Sequence, residues 1–86
     1  MRTLEYVITD AHGIHARPAG LLARTAGMFA GTTVKIARGE AEVKAGQLLM
    51  LMSLGVKQGD RITVTTEGPE EDAAIAAMEA CLLEHL

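Results

Sequence analysis

The chain has 86 residues, 49% hydrophobic and 22% charged, which suffices for one packed domain over residues 1–86 and leaves no room for a second. Its formal charge is −3, it has no run of Lys and Arg, and its only aromatic residues are Tyr6 and Phe29, so nucleic acid is not expected as a partner. One cysteine, Cys81, excludes an internal disulfide framework. The start carries no signal-like apolar stretch and no run reaches membrane-spanning length, so a cytoplasmic protein without membrane insertion is expected.

Residues 3–8 alternate in character and predict a strand with Leu4, Tyr6 and Ile8 on one face. Residues 10–14 hold a glycine and no periodicity and read as a loop. From residue 16 to about 29, Ala19, Leu22, Ala26 and Phe29 recur at helical spacing, and Pro18 falls in the first turn, where a missing N–H costs nothing. This places His15 at the helix N-terminus.

Residues 33–37 predict a second strand with Val34 and Ile36 inward, and Arg38-Gly39 a tight turn into a third at 40–43. A short helix is expected at about 47–54, closed by Gly55. After a loop, residues 61–66 predict a fourth strand with Ile62 and Val64 inward. Gly68 and Pro69 then open a last helix with Glu70, Glu71 and Asp72 in its first turn, where the helix dipole favours acids, and Ile75, Met78 and Leu82 as its apolar stripe. The order βαββαβα points to an α+β domain, an antiparallel sheet with helices on one face.

Charge is unevenly placed. Arg2, Arg17, Arg24, Lys35, Arg38 and Lys44 fall in the first 44 positions, whereas Asp60, Glu67, Glu70, Glu71, Asp72, Glu79 and Glu84 occupy residues 60–84 against one base there, Arg61. A positive half beside an acidic half suits an anionic ligand on the N-terminal side.

The segment Gly13-Ile14-His15-Ala16-Arg17-Pro18-Ala19 carries the most chemistry. The backbone N–H groups of Ala16 and Arg17 at a helix start are free to bind an anion. Arg17 adds a permanent cation whose donor fork suits phosphate oxygens. A neutral imidazole is a nucleophile, and Gly13 allows the backbone to bend close to it. The bland alternative is that a lone histidine before a helix is a solvated or capping residue and a lone arginine a surface charge. His12 and His15 together make only half a metal site, so no metal is expected.

A second feature is Gln47-Leu48-Leu49-Met50-Leu51-Met52-Ser53-Leu54-Gly55, apolar nearly all round. Some of these side chains must pack inward, and at least two are expected to stay exposed as a protein-binding patch. The alternative is that another element or a second copy covers them.

On these residues the chain resembles the histidine-containing phosphocarrier family (HPr) of the bacterial phosphoenolpyruvate-dependent sugar phosphotransferase system. The resemblance spans essentially the whole chain and rests on residues 13–19, on Met52-Ser53-Leu54-Gly55, and on the Gly59 turn. It implies an open-faced β-sandwich, a four-stranded antiparallel sheet covered on one face by three helices. It also implies transient phosphorylation of His15 at Nδ1, with Arg17 neutralising the phosphate, and no cofactor. Enzyme I is the implied donor, IIA proteins or domains the implied acceptors, and Leu48, Leu49 and Met52 the implied docking surface. Such a protein is a covalent intermediate and not an enzyme.

The chain departs from the family's pattern in places. Many relatives carry a lysine and a regulatory serine where this chain has Gly46 and Gln47, so no serine-kinase switch is expected. His12 stands where relatives often have a small polar residue, and Gly20 where many have Thr or Ser. Alternative readings are a carrier in a nitrogen-related or kinase-feeding branch, a regulatory binding module of the same fold, and a small acylphosphatase-like hydrolase, which lacks here any second catalytic group near His15.

Overall fold

A computed structural model describes residues 1–86. The elements run β1 (Arg2–Val7), α1 (Ala16–Gly27), β2 (Thr33–Arg38), β3 (Ala41–Lys44), α2 (Leu48–Ser53), β4 (Arg61–Glu67) and α3 (Glu71–His85). The four strands form one antiparallel sheet in the order β1-β4-β2-β3, and the three helices make it an open-faced sandwich. The predicted α+β class and element order are therefore what the chain adopts.

Register explains the two faces. Leu4 lies opposite Val64, Val64 opposite Ile36, and Ile36 opposite Val43, one apolar row across all four strands. The next row, Glu5, Thr63, Ala37 and Glu42, points the other way because successive residues alternate faces. The apolar row meets Ala19, Leu22 and Ala26 of α1 and Ala74, Met78 and Leu82 of α3 in one core. Removing one such side chain, as in Leu22→Ala, costs about 2–5 kcal/mol at a site this enclosed.

Three expectations need correction. Helix α3 starts at Glu71, not at Gly68-Pro69, because Gly68 takes φ 145° and its N–H donates to the Glu71 carboxylate at 3.2 Å, making a turn ahead of the helix. Ile75 is only half-buried, while Ala74 and Cys81 join Met78 and Leu82 on the inner face; small side chains admit the closest approach to the sheet. Helix α1 ends at Gly27, so Phe29 reaches the core's margin from the turn beyond.

The linear separation of charge is also diluted on folding. Arg2 pairs with Asp72, Lys35 with Glu42, Arg38 with Asp60 and Arg61 with Glu5. Arg17 is in none of the molecule's ion pairs.

Candidate functional site

The loop before α1 is held from two sides. Gly13 has φ 65°, and a Cβ there would run into the Val56 carbonyl and come within 2.8 Å of Lys57 Cα. No other residue fits this approach. Ile14, its side chain buried, donates its N–H to Val56 O at 3.2 Å. From the opposite side, the Thr9 and Asp10 N–H groups donate to Leu86 O at 2.7 and 3.0 Å. The loop tip is closed by Gly13 N–H to Asp10 O at 3.1 Å and His12 N–H to Asp10 Oδ1 at 2.7 Å.

The segment holding Val56 is itself braced. Arg38 Nε donates to Asp60 Oδ2 at 3.0 Å and Arg38 Nη1 to Leu54 O at 3.1 Å. The same Asp60 oxygen accepts the Lys57 N–H at 2.9 Å. That backbone donor, with the Arg38 guanidinium beside it, holds the Asp60 carboxyl below the usual carboxylate range despite some desolvation.

His15 is the extended N-cap residue of α1, at φ −100° and ψ −175°, and its side chain makes no capping bond. Its carbonyl accepts the Ala19 N–H at 2.9 Å, and Pro18 has no N–H to give. The amides of Ala16 and Arg17 are thus left without a protein acceptor at the positive end of the helix. No acid lies in this first turn. The His15 ring is 43% exposed, with its Nε2 3.9 Å from Asp10 Oδ1, too far for a hydrogen bond but close enough to feel the charge.

His15 and Arg17 line a depression of about 260 Å³ together with Asp10, Pro18, Leu21, Glu84 and His85. A larger one, about 330 Å³, lies at the far end of α1 around Gly27, Thr32, Lys44 and Gln47, and contains neither histidine nor arginine. Size is a poor guide to the chemistry here. No group of three or more potential metal ligands comes together anywhere in the molecule.

The structure brings His15, Ala16 and Arg17 to one point, as their spacing requires. Leu48, Leu49 and Met52 are separate from them, on α2, and are 39, 77 and 39% exposed. Met50 is exposed beside them, while Leu51 and Leu54 turn into the core. Sequence reasoning did not assign Asp10, Glu84 or His85 to the site. The last two arrive from the other end of the chain with no local signal.

Residues 3–84 match the family described as PTS HPr component phosphorylation site. The phosphocarrier protein HPr of Mycoplasma genitalium is 40% identical over 82 residues, covering 95% of this chain and 93% of that one. The phosphocarrier protein HPr of Mycoplasma pneumoniae is 38% identical over 85 residues, covering 99% and 97%. A solved structure of a histidine-containing phosphocarrier protein of Mycoplasma superposes with a TM-score of 0.93 at 30% identity, covering 96% of this chain and 93% of that chain. On a match of this extent, in sequence and in fold, the chain belongs to the HPr family, the phosphotransferase-system carriers that act through a phosphohistidine intermediate and are not themselves enzymes.

Proposed function

We propose that His15 is the residue phosphorylated, at Nδ1, by the phosphorylated enzyme I of a phosphotransferase system, with phosphoenolpyruvate as the ultimate phosphoryl source, and that it hands the group to IIA-type acceptors. The observation that carries this reading is the pair of unpartnered amides, Ala16 and Arg17, beside a half-exposed imidazole and an unpaired guanidinium.

The Asp10 carboxylate next to Nε2 favours a proton on that nitrogen and leaves the Nδ1 lone pair for attack. Nδ1 forms a bond to phosphorus as the donor's nitrogen–phosphorus bond breaks, its electron pair returning to the donor ring. The arriving group brings roughly −2 charge, which the helix end and Arg17 offset in part. Onward transfer repeats the exchange in the other direction. One guanidinium on an open surface binds firmly enough to hold the group and loosely enough to release it.

The exposed α2 face of Leu48, Leu49 and Met52 serves as the docking surface for both donor and acceptor. Regulation by a serine kinase at the start of α2 is absent, because Gln47 offers no hydroxyl there. Ser53 does not substitute, since its hydroxyl already donates to Met50 O at 2.6 Å. The exchange belongs in the cytoplasm, a compartment in keeping with the free thiol of Cys81.

The test is incubation with phosphoenolpyruvate, magnesium and purified enzyme I, followed by intact mass at neutral and acid pH. One acid-labile phosphate is expected, absent from His15→Ala, whose melting temperature stays near the parent's because the side chain is half-exposed. A folded protein that takes no phosphate from its cognate enzyme I would refute the carrier reading and favour a regulatory binding module.

A further inference from the structure

His12 lies beside the proposed phosphoryl site with an imidazole that has no partner. Its backbone N–H is taken by Asp10, but the exposed side chain enters no hydrogen bond or ion pair. The ring stands edge-on to that of His15, with centroids 5.7 Å apart and planes at 84°. The turn that aims His15 therefore aims His12 as well. A phosphoryl group on His15 falls within about one Debye length, roughly 8 Å, of the His12 ring.

The charged and titratable groups around His12 narrow the choice of responder. Asp10 lies in its own turn, His15 and Arg17 at the start of α1, Lys57 in the segment packed on Gly13, and Glu84 and His85 across the depression at the end of α3. Guanidinium, ammonium and carboxylate groups are not of a type that changes charge near neutral pH. Apart from His15, only the two other imidazoles are of a type that changes charge between about pH 6 and 8. His85 already faces Glu84, with Nε2 3.8 Å from its carboxylate. His12 is left free to respond.

Resting on the carrier reading, we infer that His12 is a proton-coupled charge stabiliser of the phosphorylated state. His12 binds its proton more tightly while His15 carries the phosphoryl group, so it takes up a fraction of a proton from solvent on phosphorylation and returns it as that group leaves. The charge of roughly −2 that the phosphate brings is then offset by up to about half a proton's charge at His12. By linkage, whatever phosphorylation does to proton affinity at His12, protonation does to the phosphoryl equilibrium. Falling pH between about 8 and 6 accordingly drives the exchange with partners toward the phosphorylated carrier.

The test follows the His12 Cε1–H resonance by NMR from pH 5.5 to 8.5, before and after phosphorylation with phosphoenolpyruvate, magnesium and enzyme I. The His12 midpoint is expected to rise by roughly half a unit to one unit on phosphorylation. In parallel, the ratio of phosphorylated to free carrier at equilibrium with enzyme I is measured at pH 6 and 8 for the parent and for His12→Gln. The parent ratio is expected to change about three- to tenfold more over that interval than the variant's, this being the same shift expressed as an equilibrium. An exposed surface residue is replaced, so amide spectra matching the parent's are expected for the variant. Phosphate uptake with an unmoved His12 midpoint, or equal pH dependence in parent and variant, would overturn this inference alone. No uptake at all would overturn the carrier reading and this inference with it.

Discussion

Helices α1 and α3 begin in opposite ways. At α3, Glu71 and Asp72 occupy the first turn, Gly68 N–H and the Met1 ammonium both reach the Glu71 carboxylate, and Thr32 Oγ accepts the Glu70 N–H at 2.9 Å. The two acids answer the positive end of the helix by charge. At α1 the first turn holds a cation in place of an acid, no side chain caps the amides, and two N–H groups are left open. At α3, too, the N-cap side chain makes no capping bond and the Asp72 and Ala73 amides have no protein acceptor, so the two starts differ in the charge set beside them and not in the number of open amides. The difference teaches that a helix end becomes functional through what the sequence withholds from it.

The contrast can be broken hardest at Gly13. Gly13→Ala places a Cβ against the Val56 carbonyl at a φ that side chains resist, and should lower stability by roughly 2–4 kcal/mol in a urea melt. It should slow phosphate uptake as well, since the turn that aims His15 must move. Next comes conversion of one helix start into the other. Arg17→Glu should raise stability by about 0.3–1 kcal/mol by matching the dipole, while cutting phosphate uptake by more than about 100-fold. A variant that gained neither effect would show that the two ends differ only in appearance.

The reverse operation is gentler. The Met1 ammonium first, and the Gly68 N–H second, hold the Glu71 carboxyl below its usual range. A depressed carboxyl stabilises the fold above the unfolded value of about 4.3 and loses that contribution as pH falls below it. Glu71→Gln should therefore melt below the parent at pH 7, with the gap closing as the pH is lowered past 4. Asp60→Asn should show the same sign and pH window through the Lys57 amide and Arg38, and a gap that widened in acid would contradict both assignments. Phosphate uptake should respond to Asp60→Asn more than to Glu71→Gln, because only Asp60 braces the segment under Gly13.

Much of this was legible along the chain because its signals are local. Helical spacing, Pro18 in the first turn and the glycines around the loops place His15 at a helix start without reference to anything distant. The site's chemistry, an imidazole with two amides and a guanidinium, is contained in three consecutive residues. What stayed hidden depends on remote partners. The strand order puts β4 between β1 and β2, which no local pattern declares. The start of α3 is set by Thr32, 38 residues from Glu70, as well as by the Glu71 side chain turning back. Ile14 and Val56 look like loop residues and are buried, because two loops pack on each other there. The expected positive half is diluted for the same reason: folding sets three of its six bases, Arg2, Lys35 and Arg38, beside acids, and leaves Arg17, Arg24 and Lys44 out of any ion pair.

The bond from Ile14 to Val56 has a mechanical meaning. Val56 follows directly on the turn that ends α2, so the chain leaving the apolar patch is the chain against which the histidine loop is seated. The apolar patch and the His15 loop thus share one footing. On the proposed reading, a partner docked on α2 is presented with the imidazole at a preset offset, and need not search for it. The short span between Gly55 and Asp60 works as a spacer gauge: one residue more or less there would leave both features intact and put them out of step.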